Sequence, residues 1–192
     1  YLLFRLKARL MLLDNQVYKR PRDFCLQYGV LEEMYENFEK IADVKKPVIA
    51  AVSGYALGIG FEMALACDIV FASESACFGH PDLSLGTVPG FGATQRLPNT
   101  VGKSKTMEMI LTGRAMNARE AERAGIVSRI IPLRYLFDEA FNTAERIAAL
   151  PDLAVNTSKE LIKTAVSNTN LEEGLEIEKQ VYKSCLLYTS PS

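Results

Sequence analysis

The sequence predicts a layered α/β fold that is followed by a region built from helices alone. Short apolar runs that end at glycine or polar residues predict three strands, over 48–52, 68–73 and 76–82. A helix over 60–67 is predicted between the first two, and the order strand, helix, strand favours α/β layers. From residue 133 onward only helical patterns occur, over 135–149, 152–166 and 171–185. We therefore divide the chain into an α/β core, residues 1–132, and a helical region, residues 133–192.

The elements before the first of these strands follow from the spacing of apolar residues. Phe4, Leu6 and Ala8 alternate with basic residues, which is the period of a half-buried strand, although the same residues allow a helix. Apolar residues at spacings of three and four over 30–42 predict an amphipathic helix. Lys45-Lys46-Pro47 ends that helix just before the strand at 48–52.

The stretch between the third strand and the helical region predicts three short helices and one more strand. The first helix begins after Gly92 and ends near residue 99, and the second covers 103–111 and ends at Gly113. Asn117 caps the third helix, and Glu120, three residues later, completes a capping box. The strand is predicted over 126–131.

Length and charge limit the classes of function. At 192 residues the chain fits one domain, or one domain with a small appendage. Its formal net charge of −1 gives no electrostatic reason to bind nucleic acid or an anionic membrane. No apolar run approaches the roughly 18 residues that cross a bilayer. We therefore expect neither a nucleic-acid partner nor a membrane span.

Four widely spaced cysteines and a single histidine argue against a disulfide framework and against a zinc site. Cys67 lies in an apolar run and Cys77 beside one, which favours buried free thiols. Free thiols indicate a reducing, intracellular setting. We therefore expect a cytoplasmic protein or, in a eukaryote, one of the mitochondrial matrix.

The turn Gly58-Ile59-Gly60 is the first candidate for a functional site. Glycines permit a tight turn and let a ligand approach exposed N–H groups. If a helix begins here, its first N–H groups have no intrahelical acceptor and carry the positive end of the helix dipole. Such donors stabilise a thioester carbonyl that becomes an enolate. The same turn can be a simple helix start, and it lacks the third glycine of a dinucleotide-binding fingerprint.

Two carboxylates accompany this turn. Glu62 lies in the first turn of the predicted helix, and Asp82 ends the strand predicted over 76–82. Two carboxylates beside one pocket tend to hold different protonation states, which divides a general acid from a general base. A helix dipole also favours Glu62 whatever its function, and Asp82 can simply end a strand. His80, on the same predicted strand face as Asp82, is expected to make local hydrogen bonds.

A hydrolytic triad is the alternative from another class of enzyme. Ser53, His80 and Asp82 supply its residue types. A histidine and an aspartate two residues apart on one strand point in parallel, however, and the chain has no GxSxG elbow. We therefore prefer acyl-thioester chemistry to hydrolysis by a triad.

The order and spacing of these motifs resemble the enoyl-CoA hydratase/isomerase (crotonase) family. The matching text is KPVIAAVSGYALGIGFE over 46–62, ACDI over 66–69, FGHPD over 78–82 and LGTVPGFGATQRL over 85–97. The similarity is most specific over 46–131 and extends over roughly 30–183. It implies a spiral of ββα units with a C-terminal helical region that builds homotrimers, often paired into hexamers.

The resemblance also implies a role for each candidate residue. The oxyanion and substrate-binding positions are Ile59, Gly58, Gly60 and Gly90. Glu62 matches the first catalytic glutamate, and Asp82 occupies the position of the second. In this interpretation one carboxylate positions or deprotonates water for attack on the β-carbon of an acyl-CoA thioester, and the other handles the α-proton. The resemblance implies no metal and no cofactor beyond the coenzyme A of the substrate.

Three departures from the family pattern affect this interpretation. Asp82 is one methylene shorter than the usual glutamate, a retreat of roughly 1.5 Å. The family's second oxyanion donor lies in an upstream Ala-Gly-Ala-Asp-like segment, and residues 1–45 contain nothing similar. Residues 1–25 and about the last seven are atypical, so we expect an N-terminally truncated form of the fold.

The leading hypothesis is an enoyl-CoA hydratase, which adds water reversibly to a trans-2-enoyl-CoA and gives a 3-hydroxyacyl-CoA. Carboxylates at both glutamate positions favour it over the alternative, an isomerase or another enolate-forming acyl-CoA enzyme. A further alternative is an inactive CoA-binding or structural protein, which the missing upstream segment favours.

Overall fold

The protein contains two β-sheets and a set of helices. Its structure, a computed structural model, describes residues 2–7, 35–36, 38, 40–41, 43–167 and 170–189. The strands are β1 (Leu2–Lys7), β2 (Val48–Ser53), β3 (Tyr55–Leu57), β4 (Ile69–Ala72), β5 (Cys77–Gly79), β6 (Met116–Asn117) and β7 (Arg129–Ile130). The helices are α1 (Ile59–Ala66), α2 (Ala93–Val101), α3 (Lys103–Thr112), α4 (Ala118–Arg123), α5 (Leu133–Ala148), α6 (Asp152–Ser167) and α7 (Leu171–Thr189). A short 3₁₀ turn covers Asp82–Leu85.

The larger sheet is parallel throughout and has the order β1-β2-β4-β7. The smaller sheet has the order β3-β5-β6, with β3 parallel and β6 antiparallel to β5. The strand predicted for the N-terminal residues is confirmed over Leu2–Lys7 as β1, which pairs with β2, and the part of the prediction at Ala8 lies outside the described residues. Of the helix predicted over 30–42, the described residues 35–36, 38 and 40–41 are helical, and the others lie outside the described part.

Strand β2 explains why the core has two layers. Ala50 and Val52 join the apolar cluster on the side of α1, whereas Ile49 and Ala51 join a second cluster beneath α5. Successive side chains of a strand point to opposite faces, so a strand covered on both faces reads as an uninterrupted apolar run. This arrangement confirms the α/β layers and fixes the end of β2 next to the turn that begins α1.

Helix boundaries follow the predicted signals closely. Helix α3 ends at Gly113, whose φ of 70° is left-handed. Asn117 caps α4 with a capping box, in which its side chain accepts from the N–H of Glu120 and the Glu120 side chain accepts from the N–H of Asn117. Helix α1 begins one residue earlier than predicted, because Gly58 rather than Ile59 is its N-cap.

Two predicted strands are shorter in the structure. The strand expected over 126–131 is reduced to Arg129–Ile130, because the N–H groups of Ile126 and Val127 bond to Ala121 O at the end of α4 instead of to the sheet. The strand expected over 76–82 is reduced to Cys77–Gly79, and Asp82 begins the 3₁₀ turn. Pro81, with ψ of 5°, turns the chain out of the extended conformation between the two.

From Leu133 the described residues form helices α5, α6 and α7, as expected for the helical region. Its separation as an oligomerisation unit stays a prediction. Many of its large apolar side chains are exposed, among them Phe137, Phe141, Ile162, Val166, Leu171, Leu175 and Tyr182. None of the helices in the described residues is long and apolar enough to cross a membrane. Cys67 and Cys77 are free thiols, as predicted, but both are half-buried and not buried.

Candidate active site

The turn at Gly58 prepares an anion-binding helix start. Gly58 is buried and has φ 55° and ψ −126°, a conformation that only glycine adopts easily. Its N–H donates to Gly79 O (3.0 Å), which fixes the turn against β5. Ile59 and Gly60 form the first positions of α1, where backbone N–H groups have no intrahelical acceptor. These two half-buried positions can therefore present N–H donors to a developing oxyanion.

Glu62 is held in one orientation by the backbone of a distant loop. Its side chain is 1 % exposed, and its Oε1 accepts from the N–H groups of Phe91 and Ala93, each at 2.9 Å. Ala93 is the first residue of α2, so the carboxylate also lies at the positive end of that helix. Its Oε2 has no hydrogen-bond partner among the described residues. One oxygen is thus anchored, and the other is buried 3.5 Å from His80 Nε2.

The loop that anchors Glu62 is itself braced by aromatic rings. Phe91 stacks on Tyr35 with 4.7 Å between ring centroids and lies 5.2 Å from the ring of Phe38. Arg96 donates to Phe91 O at 2.8 Å. Gly92, the N-cap of α2, has a φ of 100°, a left-handed conformation that favours glycine. The loop therefore offers its N–H groups to Glu62 from a fixed position.

His80 and Asp82 complete the site in a way that the sequence analysis did not anticipate. The imidazole is fully buried, with Nε2 3.5 Å from Glu62 Oε2 and Nδ1 3.3 Å from Asp82 Oδ1. The expectation that His80 and Asp82 point in parallel was wrong. The bend at Pro81 takes Asp82 off the strand and turns its carboxylate back towards the ring.

Opposing influences act on the pKa of His80. Burial lowers it, whereas polar contacts and charge attraction from Asp82 and then Glu62 raise it, and the pKa rises to about 9. The two distances are long for hydrogen bonds, and neither ring nitrogen has a partner of hydrogen-bond geometry among the described residues. We therefore treat both contacts as ion pairs.

The candidate residues converge on the start of α1, with one exception. Asp82 Oδ1 lies 3.1 Å from the point that a Cβ on Gly58 would occupy, so this carboxylate abuts the glycine turn. Gly90 instead lies exposed on the loop before α2, beside the Tyr35 hydroxyl. The polar contacts of His80 in the described residues are the two carboxylates and do not include Ser53, which gives the hydrolytic triad no support.

Other places where a group could bind lie away from these residues. In the part of the chain that the structure describes, no set of three or more His, Cys, Asp or Glu side chains is arranged to hold a metal ion. A cavity of about 980 Å³ lies between the far end of α1, α2 and α6 and is lined by residues such as Leu65, Thr100, Ala154 and Ile162. Neither Glu62 nor Asp82 lines this cavity, so the candidate chemistry is placed by the helix start.

Comparison with known proteins assigns the family. The family described as enoyl-CoA hydratase/isomerase matches residues 18–189 of the chain. This chain belongs to the enoyl-CoA hydratase/isomerase family. Its fold is accordingly the crotonase fold expected from the sequence resemblance.

Individual family members agree with this assignment. A probable enoyl-CoA hydratase of Rhizobium meliloti (strain 1021) is 46% identical over 156 residues, which cover 81% of this chain and 60% of the relative. A mitochondrial enoyl-CoA hydratase of Pongo abelii is 46% identical over 166 residues, covering 86% of this chain and 57% of the relative. A solved enoyl-CoA hydratase from Bacillus anthracis superposes with a TM-score of 0.78 at 37% identity, covering 85% of this chain and 62% of that one. The chain thus spans about three fifths of the length of these family members.

Two functional features of this family member escaped the sequence analysis. The N–H groups of Phe91 and Ala93 bind Glu62 across 29 and 31 residues of chain, and no local pattern carries that pairing. One feature of the sequence could have predicted that His80 faces Asp82. Pro81 lies between them, and a proline disfavours continuation of the strand.

Proposed function

We propose that this protein is an enoyl-CoA hydratase, which adds water reversibly to a trans-2-enoyl-CoA and yields a 3-hydroxyacyl-CoA. The observation that carries the proposal is the convergence of Glu62 and Asp82 on His80 at the N-terminal turn of α1. Hydration needs a group that activates water, a group that delivers the α-proton and a site for the enolate oxygen. The two carboxylates and the helix start supply these functions.

The thioester oxygen is proposed to bind at the start of α1. The N–H of Ile59, with Gly60 beside it, is directed there by the Gly58 turn. Water attack on the β-carbon moves electrons towards the thioester carbonyl, so negative charge develops on its oxygen. A fixed N–H donor at a helix N-terminus stabilises that charge, and removing one such donor typically lowers kcat about 100-fold to 1,000-fold.

Glu62 is the carboxylate whose orientation the backbone fixes. Its Oε1 accepts from two N–H donors, so Oε2 keeps a fixed direction beside His80 Nε2, 3.5 Å away. In the proposed reaction one proton of the water passes to a carboxylate as the oxygen bonds to the β-carbon, and a carboxyl group returns a proton to the α-carbon. Asp82, on the other side of His80, is the second carboxylate.

Hydration of crotonyl-CoA tests this proposal. The conjugated thioester absorbs in the ultraviolet, so its loss reports turnover directly. We expect turnover in the wild-type protein and a fall of about 10²- to 10⁴-fold in kcat for Glu62→Gln, which keeps the size of the side chain but removes its basicity. Glu74→Gln, at an exposed glutamate, is the matched control and should retain full activity.

Three outcomes separate hydration from its alternatives. Conversion of a 3-enoyl-CoA without incorporation of oxygen from labelled water, together with no hydration, would make the protein an isomerase. CoA binding without turnover of either substrate would make it a binding protein. Hydration that survives Glu62→Gln unchanged would place the chemistry elsewhere.

We also propose that the reaction uses no metal and no cofactor other than the coenzyme A of the substrate, because acid–base groups and N–H donors meet its needs. Activity should therefore survive dialysis against a chelator. The proposed compartment is the cytoplasm or the mitochondrial matrix, and fluorescence microscopy of a tagged protein distinguishes them.

Self-association into trimers or hexamers is a separate proposal about the helical region. The exposed apolar side chains of α5, α6 and α7 support it, because contiguous exposed apolar surface commonly marks a protein interface. Light scattering after gel filtration measures the assembly. A monomer at micromolar concentration would contradict the proposal.

A further inference from the structure

His80 is the single histidine of the chain, and it is fully buried between two carboxylates. Each of its ring nitrogens faces a different acid, Nε2 towards Glu62 at 3.5 Å and Nδ1 towards Asp82 at 3.3 Å. The two acids belong to different elements, α1 and the 3₁₀ turn. His80 therefore lies between an acid of α1 and an acid of the 3₁₀ turn.

The chemistry of the ring restricts its protonation state. A neutral imidazole has one N–H donor and one acceptor lone pair, so one of its nitrogens would direct a lone pair at a carboxylate. An imidazolium carries N–H on both nitrogens and is attracted to both acids. The two contacts are thus satisfied together by the charged ring.

We propose that His80 is a positioning residue that bridges Glu62 and Asp82 as an imidazolium and fixes the two carboxylates relative to each other for the reaction. This inference deepens the proposed hydratase function and rests on it for its catalytic consequence.

The charges around the ring support the bridge. Among the described residues, the charged groups that face His80 are Glu62 and Asp82, both acidic. They outweigh the burial that favours the neutral ring and raise the pKa of His80 to about 9. Above that pH the ring loses a proton and the bridge loses one of its two donors.

Nuclear magnetic resonance of ¹⁵N-labelled histidine tests the charge without any reference to activity. Because the chain has one histidine, its ring signals need no assignment. An imidazolium gives two similar ¹⁵N shifts, whereas a neutral ring gives two widely separated ones. We expect similar shifts at pH 7 and a midpoint near pH 9 in the wild-type protein.

Variants show whether the carboxylates cause that charge. Asp82→Asn should lower the midpoint by about one pH unit or more, because an opposite charge in contact with the ring is removed. Asp138→Asn, at an exposed position on α5, is the matched control and should leave it unchanged. A neutral ring at pH 7, or a midpoint that Asp82→Asn does not move, overturns the proposal.

Kinetics of His80→Gln test the positioning role. The amide keeps a donor and a similar size but carries no charge. We expect kcat to fall about tenfold to 100-fold, as for a catalytic group displaced by up to about 1 Å, with KM changed less than about threefold. The wild-type kcat should decline as pH rises through about 9, and this decline should vanish in the variant.

The two proposals fail in different ways. A folded wild-type protein that does not hydrate crotonyl-CoA refutes the hydratase function, while the resonance experiment still decides whether the bridge exists. If His80→Gln keeps the wild-type pH profile and kcat, the positioning role is refuted. If His80→Gln does not fold, the titrations of the wild-type protein and of Asp82→Asn decide whether the bridge exists.

Discussion

The α/β layers bury most of their large apolar side chains, whereas the helical region leaves many of its own exposed. Helix α1, in the α/β layers, is apolar around most of its circumference and buries Phe61, Glu62 and Ala64. Helix α6 has the same amphipathic pattern as many surface helices, yet its one buried residue is Lys159. None of the described side chains of α7 is buried. The α/β layers are thus completed within one chain. In the helical region α5 packs Leu136, Ala140 and Ala144 against the sheet, whereas α6 and α7 bury no apolar side chain among the described residues.

This difference explains where the site lies. The carboxylates need fixed neighbours, and the α/β layers provide them through α1, β5 and the loop before α2. The helical region contributes the packing of α5 on the larger sheet and one polar tether from α6. Lys159 Nζ donates to Val44 O (2.7 Å), Lys46 O (3.0 Å) and Asp68 Oδ2 (2.7 Å), next to the start of β2.

A matched pair of phenylalanines tests the comparison most strongly. Phe61 of α1 is fully buried against Phe78 of β5, whereas Phe141 of α5 is 48% exposed. Phe61→Ala should lower the free energy of unfolding by about 3–5 kcal/mol, and Phe141→Ala by less than about 1 kcal/mol. Urea denaturation followed by circular dichroism measures both. Equal losses would mean that the helical region is packed as firmly as the α/β layers.

Removal of the tether should have the next largest effect. Lys159→Met leaves Asp68 without its cation, and breaking a buried pair in this way costs about 3 kcal/mol or more. We expect a loss of no more than about 3 kcal/mol in the free energy of unfolding, because the Asp68 side chain is 25% exposed and partly solvated. Lys183→Met, at an exposed lysine of α7, controls for the loss of charge. Indistinguishable melting temperatures for the two variants would show that the tether does not hold the regions together.

The buried charge of His80 should make the stability of the α/β layers depend on pH. Its pKa is about 9 in the folded protein, against an ordinary value of 6.5, so the folded state binds the proton more tightly. The stabilisation is fully present below pH 6.5 and is lost as pH rises through about 9, with a total of about 3 kcal/mol.

Urea denaturation between pH 6 and pH 7.5, about one unit below the ordinary thiol pKa, measures the first part of this loss. The free energy of unfolding should decrease over that interval in the wild-type protein and stay level in His80→Gln. A wild-type stability that rises with pH would contradict the assigned charge.

The smallest effect is expected at a surface position of the α/β layers. Asn117→Ala removes the acceptor of the α4 capping box and should cost about 1 kcal/mol. Asn117→Ser retains a capping oxygen and should recover most of that loss. Chemical denaturation with replicate curves resolves such a difference. Unchanged stability in the alanine variant would show that the tertiary contacts of α4 hold it without the cap.

Prediction from sequence succeeded where the interactions are local. The capping box at Asn117, the glycine end of α3 and the placement of Glu62 in the first turn of α1 depend on residues within one or two turns of each other. It failed where a proline or a helix end redirected the backbone, at Asp82 and at 126–131. The roles of Gly58, Ile59, Gly60 and Gly90 in substrate binding stay predictions.

By itself, the sequence determined that this protein has α/β layers followed by helices, and that Glu62 begins a helix beside a glycine turn. Apolar period, capping residues and glycine positions encode these features locally. Only the tertiary structure decided that Phe91 and Ala93 anchor Glu62, that Lys159 reaches Asp68, and that His80 lies between two acids. The first two contacts join residues up to 91 positions apart in the sequence, and the third depends on the bend at Pro81. Such contacts form only when the whole chain packs, so no local pattern encodes them.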